Sequence, residues 1–282
     1  MPDSPTTPAP MDAYPPAQVA DLVEAVGVRK ANLGWLPTIM LGLLAGAFIA
    51  FGASLFLVVI TESGLGFGPT RLLGGLAFSL GLILVIVGGA ELFTGNNLIV
   101  MAWADRKISS YALLRNWTLV LAANFVGSVA VALAVAWSGS MAHPALTATI
   151  IRVAEAKVAI DPTDAFIRGV LCNVLVCLAV WLSFSARGVA DKVLVIPLPI
   201  AAFVALGFEH SIANMFLLPL GWLVGARIDL AGVVGNLLPV TLGNVVGGGV
   251  LVAGTYWAIY LRPKRTSTGS PAAATETKPG PR

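Results

Sequence analysis

Two short polar motifs lie inside apolar stretches of the chain. Residues 89–96 read GAELFTGN and residues 207–214 read GFEHSIAN, so both contain Gly-x-Glu-x-x-x-x-Asn at an offset of 118 positions. An ionised carboxylate in hydrocarbon costs at least about 2.5 to 3.5 kcal/mol, so Glu91 and Glu209 require protein or water around them. Next to Glu209 stands His210, one of two histidines, and an imidazole can hold or give a proton at physiological pH. The motifs indicate proton exchange with a weak acid or its anion.

Each of these polar side chains has a structural alternative. His210 could serve permeation, or it could be a neutral imidazole bound to backbone or to an asparagine. Glu91 and Glu209 are expected to satisfy N–H groups exposed where a helix is interrupted or to hold the loops together, with a proton relay as the alternative. Thr94 could be a movable gate or a loop hydrogen bond. Lys157 could be a solvated loop lysine or a cation that concentrates anions at a pore mouth.

Large apolar side chains on the same segments are candidates for pore constrictions, although most Leu and Phe in such helices are ordinary packing. They are Phe78, Leu82, Leu92, Phe93, Val176 and Phe203. Neither of the two polar motifs contains Asn-Pro-Ala, which argues against a channel for water or glycerol. The chain also lacks the paired histidines of H-E-x-x-H, which argues against a metal-dependent hydrolase. We expect no metal, no cofactor and no enzymatic activity.

The composition indicates the elements that hold these motifs. Hydrophobic residues make up 57% of the chain and charged residues 11%, whereas soluble domains carry about 25% charge. Six stretches are long enough for a membrane crossing of roughly 20 residues: 36–60, 72–103, 113–137, 166–184, 193–222 and 237–260. The sequence therefore predicts an all-α integral membrane protein with six transmembrane helices.

A second set of matches indicates internal duplication. Three residues of the third stretch recur in the sixth with identical spacing and an offset of 120, namely Asn116, Asn124 and Gly127 as Asn236, Asn244 and Gly247. Each half, about 31–140 and 160–262, holds three crossings, so the second half must enter the membrane inverted. The cost of charge in hydrocarbon predicts that helices 2 and 5 break at the polar motifs, and the N-terminal ends of the following half-helices favour an anion.

The ends of the chain differ from its middle. We expect residues 1–30 to be a cytoplasmic leader with a short amphipathic helix, residues 31–262 to form the transmembrane domain, and residues 263–282 to be a disordered cytoplasmic tail. With the N-terminus inside, twelve basic residues fall in inner segments and five in outer ones, which predicts that both termini are cytoplasmic. The net charge of +3 follows from this topology, and it is no evidence for nucleic acid.

The motifs GGAELFTGN and GFEHSIANM, followed by LPVTLGNVVGGG and TYWAIYLR, resemble the formate/nitrite transporter family and its bacterial formate channels in particular. The resemblance runs from about residue 23 to residue 262. It implies an aquaporin-like fold in the bacterial inner membrane, a homopentamer with one pore per protomer, and pH-dependent passage of formate. Nitrite, acetate, lactate and hydrosulfide are family alternatives.

The resemblance also implies roles for individual residues. His210 resembles the central pore histidine and Thr94 the loop residue that contacts it, while Lys157 resembles a lysine that draws anions inward. In GVRKA, Lys30 resembles a cytoplasmic lysine with a part in gating. The predicted pore residues are His210, Thr94, Lys157, Asn173, Asn244, Glu209, Glu91 and Asn214. Formate channels usually carry Asp where Glu91 stands, and the outer connection after residue 222 is short, as in nitrite-type members.

Overall fold

The structure, a computed structural model, describes residues 13–262, and no β-strand occurs in this part of the chain. A 3₁₀ helix covers Gly95–Ile99, and π-helical segments cover Val246–Gly254 and Trp257–Leu261. The α-helices are α1 Pro16–Ala31, α2 Trp35–Ile60, α3 Phe67–Gly88, α4 Val100–Ala104, α5 Ser110–Ser138, α6 Pro144–Val158, α7 Pro162–Ser185, α8 Val189–Val195, α9 Pro197–Ala205, α10 Ser211–Leu223 and α11 Leu230–Val245. The first twelve residues and the predicted tail at 263–282 lie outside the described residues.

Several helices are long and apolar enough to cross a membrane. In residues 13–262 there are five such helical runs, Trp35–Ile60, Phe67–Gly88, Ser110–Ser138, Pro162–Ser185 and Leu230–Leu261, with a shorter apolar helix at Ser211–Leu223. Large apolar side chains such as Leu44, Phe51 and Leu238 are exposed on their outer surfaces. Because such surface is stable against lipid and not against water, the chain is a multi-pass membrane protein.

The two polar motifs stand where helices end. Helix α3 ends at Gly88, and Gly89 follows with φ of +78°. Helix α9 ends at Ala205, and Gly207 follows with φ of +74°. A side chain is strained at positive φ and glycine is not, so each motif begins with the residue type that lets the chain leave a helix sharply. The chain resumes helical structure at Gly95 in the first motif and at Ser211 in the second. We call residues 89–94 the first interruption and residues 206–210 the second.

Glycines allow the long helices to pack backbone against backbone. A Cβ atom on Gly127 of α5 would collide with the carbonyl oxygen of Leu43 in α2. A Cβ atom on Gly247 would collide in the same way with the carbonyl oxygen of Val170 in α7. Close approach through small residues is how membrane helices associate without a hydrophobic driving force. The packing places α2 with α5, and α7 with the end of α11, around the two interruptions.

The segment that holds Lys157 is a helix, so its assignment to a loop was wrong. Helix α6 begins with Pro144 at its first turn and buries Leu146, Ile150 and Ala154. These residues recur every four positions and form one apolar face, and α6 packs against α10. The prediction failed because a helix of 15 residues is too short to be recognised as a membrane crossing, and its single apolar face is decisive only once it packs against α10.

Candidate functional site

Thr94 and His210 join the two interruptions. The His210 Nε2 atom lies 3.1 Å from the Thr94 hydroxyl oxygen, and both residues are buried. The backbone N–H of Ala213 donates to His210 Nδ1 at 3.1 Å, which makes the imidazole the N-terminal cap of α10. Because Nδ1 accepts this hydrogen bond, the proton of the neutral ring sits on Nε2 and is donated to the Thr94 hydroxyl.

Two phenyl rings enclose the imidazole. Phe203 stacks on His210 with ring centroids 5.8 Å apart and an interplanar angle of 18°. Phe78 meets His210 edge-on at 6.4 Å and Phe203 edge-on at 5.7 Å. The polar pair therefore lies beside an apolar section in which a bare anion would lose its hydration without replacement.

Cavities of different size lie at the two interruptions. The cavity at the second is about 590 Å³, and its lining includes Phe78, Lys157, Phe203, His210 and Asn214. We call it the outer cavity, since the predicted topology places it on the outer side.

The cavity at the first interruption is about 70 Å³, and its lining includes Val23, Lys30, Leu82, Leu92 and Asn96. We call it the inner cavity. Helix α1 contributes Val23 and Lys30 to its wall, so the leader segment is part of this opening.

A polar cluster supports the first interruption. The Lys30 ammonium donates to Glu91 Oε1 at 2.7 Å and to Asn96 Oδ1 at 3.0 Å. The Asn96 amide donates to Glu91 Oε2 at 2.7 Å and to Asn116 Oδ1 at 3.0 Å. The Asn116 amide in turn donates to the Lys30 carbonyl at 3.2 Å. The buried carboxylate is thus paired with a cation and hydrogen-bonded on both oxygens, which offsets the cost of its burial.

The second interruption carries the same arrangement. The Lys157 ammonium donates to both Glu209 oxygens, at 2.8 and 3.0 Å. The Asn214 amide donates to Glu209 Oε2 at 2.7 Å and to Asn236 Oδ1 at 2.8 Å. The Asn236 amide donates to the Lys157 carbonyl at 2.9 Å. The two clusters match residue for residue across the repeat.

Two asparagines hold the non-helical backbone of the interruptions. Asn124 accepts from the Phe93 N–H at 2.9 Å and donates to the Glu91 carbonyl at 2.9 Å. Asn244 accepts from the Ser211 N–H at 2.9 Å and donates to the Glu209 carbonyl at 3.0 Å. Each amide therefore satisfies a donor and an acceptor that a regular helix would have paired internally.

A third asparagine fixes Thr94 from the opposite half of the chain. The Asn173 amide donates to the Thr94 carbonyl at 3.2 Å and to the Asn244 carbonyl at 2.6 Å. The Thr94 carbonyl also accepts from the Asn97 amide at 3.2 Å and from the Cys177 thiol at 3.4 Å. Sequence reasoning missed Asn97 and Cys177, because a lone thiol and an asparagine beside the motif carry no pattern of their own.

Four of the six predicted constriction residues line a cavity, and two do not. Leu82 and Leu92 line the inner cavity, and Phe78 and Phe203 line the outer one. Phe93 instead packs edge-on against Trp117 at 6.2 Å, and Val176 is buried in the core. Within residues 13–262 there is no group of three or more His, Cys, Asp or Glu side chains placed to hold a metal ion.

Comparison with known proteins gives the relatives of this chain. The sequence model of the formate/nitrite transporter family matches residues 17–258. The chain is 41% identical over 275 residues to the formate channel FocA of Escherichia coli (strain K12), covering 90% of this chain and 96% of that one. A solved pentameric formate channel with formate bound gives a TM-score of 0.73 at 38% identity, covering 80% of this chain and 98% of that chain. A solved FNT family ion channel gives 0.81 at 35% identity, covering 86% and 98%. The chain belongs to the formate/nitrite transporter family.

Proposed function

We propose that this protein is a pH-dependent channel for small monovalent anions, with formate as its first substrate and nitrite as the alternative. The observation that carries the proposal is the hydrogen bond between Thr94 and His210, which links two interrupted helices inside an apolar bundle. The similarity to proteins named formate channels supports the choice of substrate. Acetate, lactate and hydrosulfide are further candidates, and a channel for neutral solutes is the weaker alternative.

The proposed architecture is six membrane crossings in an inverted repeat, with helices 2 and 5 broken at the polar motifs. Residues 31–262 form this domain, both termini lie in the cytoplasm, and the membrane is the bacterial inner membrane. The matching clusters at Glu91 and Glu209 support the repeat. The pentameric state of a similar solved channel supports a homopentamer, which native mass spectrometry of the purified protein would test.

His210 can move a proton to the anion in two steps. A proton added at Nδ1 displaces the hydrogen bond from the Ala213 N–H and makes the ring a cation. The Nε2 proton then passes from the ring to a formate oxygen, which yields neutral formic acid and leaves a neutral imidazole with its proton on Nδ1. Since the neutral acid crosses the section between Phe78 and Phe203 without the cost of a bare charge, flux depends on pH.

Lys30 connects the pore to the leader helix. Its side chain is bonded to Glu91 and Asn96 of the first interruption, and its own helix supplies Val23 and Gly27 to the lining of the inner cavity. A movement of α1 would therefore change both the width of this opening and the support of the interruption. We infer a gating role for Lys30 from this double connection.

Flux measurements in proteoliposomes test the proposal. Formate, nitrite, acetate, lactate and hydrosulfide are each supplied with and without a pH gradient, and flux into protein-free liposomes is subtracted. We expect formate flux to be the largest and to respond to the gradient. Faster flux of nitrite would overturn the choice of substrate. Glycerol-driven swelling without anion flux would overturn the proposal as a whole.

A further inference from the structure

The outer cavity is lined by four cationic side chains from three helices. They are Arg71 on α3, Arg152 and Lys157 on α6, and Arg168 on α7. Among the described residues of this lining the one carboxylate is Glu209, and it is bound to Lys157 at 2.8 and 3.0 Å. The ammonium charge of Lys157 is therefore compensated within the wall. The three guanidinium charges have no acidic partner among the lining residues.

Existing contacts engage each guanidinium only in part. Arg71 donates to the Ala205 carbonyl at 2.9 Å, and Arg152 donates to the Thr149 hydroxyl at 3.2 Å. Arg168 lies 3.9 Å from Asp164, and both side chains of this pair are exposed, at 43% and 61%. Exposed pairs at such a separation contribute little. A guanidinium has five N–H donors, so donors remain free at each site.

Two of the three arginines contact the segment that carries His210. The Arg71 guanidinium lies against Gly207, with Nη1 3.4 Å from where a Cβ atom of that glycine would be. The Arg168 carbonyl accepts from the Glu209 N–H at 3.3 Å. The Arg71 guanidinium therefore lies beside the second interruption, and the backbone of Arg168 is bonded to that segment.

The inner cavity lacks a comparable charge. Among the described residues that line it, the one cation is Lys30, whose ammonium is bound to Glu91. Uncompensated positive charge is thus found in one of the two cavities, and this cavity is also the larger, about 590 Å³ against about 70 Å³. A cleft of one charge sign with apolar walls raises the local concentration of the opposite ion.

We propose that Arg71, Arg152 and Arg168 form an anion-capture site in the outer cavity, separate from the Thr94–His210 pair, which binds small dicarboxylates as well as the transported anion. In so far as it sets the affinity for the transported anion, this site rests on the proposed function. It makes transport from the outer side saturate at lower anion concentration than transport from the inner side. It also makes that side sensitive to a dicarboxylate that is too large to pass.

The chemistry of the ligand follows from charge and space. Arginine binds carboxylates through two parallel N–H···O bonds, and a monovalent anion can compensate one of the three charges. A three-carbon dicarboxylate such as malonate compensates two, and the cavity lies in the size range of small-molecule sites. Malonate is far bulkier than formate, so the closely spaced rings of Phe78 and Phe203 would hold it in the outer cavity.

The test uses purified full-length protein in proteoliposomes. Formate influx is measured with external malonate, and with external gluconate at equal ionic strength as the monovalent, impermeant control. Glutamine replaces Arg71, Arg152 and Arg168, singly and together, and lysine replaces them in a parallel set. Binding of malonate to the detergent-solubilised protein is measured by calorimetry.

We expect the triple glutamine variant to need on the order of tenfold more external formate for half-maximal flux, with little change in maximal flux. Malonate should inhibit and bind the parent protein and not this variant, and the lysine set should retain part of both effects. Arg227→Gln is the matched control, since Arg227 does not line the cavity and should leave both readouts unchanged.

Two results would overturn the site. One is equal malonate inhibition of the parent and the triple variant, and the other is an equal shift in Arg227→Gln. If a glutamine variant fails to assemble, as judged by gel filtration, the single variants and the lysine set decide the question. If the parent carries no formate above protein-free liposomes, the proposed function fails, and malonate calorimetry still decides whether the arginine site exists.

Discussion

The first and second interruptions of the chain bind their buried carboxylates in the same way. Lys30 reaches Glu91 at 2.7 Å and Lys157 reaches Glu209 at 2.8 Å, although the partners are separated by 61 residues in one half and 52 in the other. In both halves asparagines complete the hydrogen bonding of the carboxylate. Parts that recur in both halves serve a need that both share, which is to keep a buried carboxylate and the non-helical backbone beside it stable in an apolar environment.

The two halves differ at the residue that follows each glutamate. Leu92 follows the first glutamate and lines the inner cavity, whereas His210 follows the second, caps α10 and contacts Thr94. The comparison teaches that the repeated residues are scaffold and that the departures from symmetry carry the chemistry. The three arginines of the outer cavity are a further difference between the halves.

Removing one carboxylate should give the largest effect on stability, and it should be similar in both halves. Glu91→Ala or Glu209→Ala leaves a lysine with its partner removed in a site of low exposure. Loss of one partner of a buried pair costs about 3 to 5 kcal/mol. Thermal unfolding in detergent measures this loss of stability. The double change Lys157→Met with Glu209→Leu should recover most of the lost stability. A large loss in only one half would break the comparison.

A smaller loss of stability, again similar in both halves, is expected at the two asparagines that hydrogen-bond the backbone of the interruptions. Asn124→Leu and Asn244→Leu each orphan a backbone N–H and a carbonyl at an interruption. An unsatisfied buried group costs about 1 to 3 kcal/mol. The same unfolding assay should place the two variants within about 1 kcal/mol of each other, and Asn32→Leu, at the exposed residue that follows α1, should change the unfolding midpoint least. Unequal losses would show that only one interruption depends on its asparagine.

The smallest effect concerns α1, the helix that lines the inner cavity. Burial of Glu24 on α1 raises the pKa of its carboxyl from the ordinary 4.5, against the lowering effect of its partner Lys107. A raised pKa in the docked state means that docking is fully supported below the ordinary value and weakens as pH rises through the raised one. The protection factor of α1 in hydrogen exchange, corrected for the intrinsic pH dependence of amide exchange, should therefore be higher in acid than at neutral pH. Glu24→Gln should remove this pH dependence, and Gln18→Ala, an exposed change on the same helix, should leave it in place.

Part of this site is readable in the sequence and part is not. The duplicated Glu and Asn motifs and the histidine stand out because polar residues are expensive inside apolar stretches. The lysine partners of the two glutamates cannot be recognised in the sequence, because a lysine 61 or 52 residues away is brought close only by tertiary packing. The helical form of residues 144–158 was missed for a related reason, since its apolar face becomes decisive only against α10.

The most direct test of the division between scaffold and chemistry is the pH dependence of formate flux in His210→Leu, the change that makes the second interruption match the first. Flux is measured in proteoliposomes between roughly pH 5 and 8, after gel filtration has shown that the variant assembles as the parent does. The account predicts a strong pH dependence in the parent and a flat, reduced flux in the variant. An unchanged pH profile in His210→Leu would contradict it.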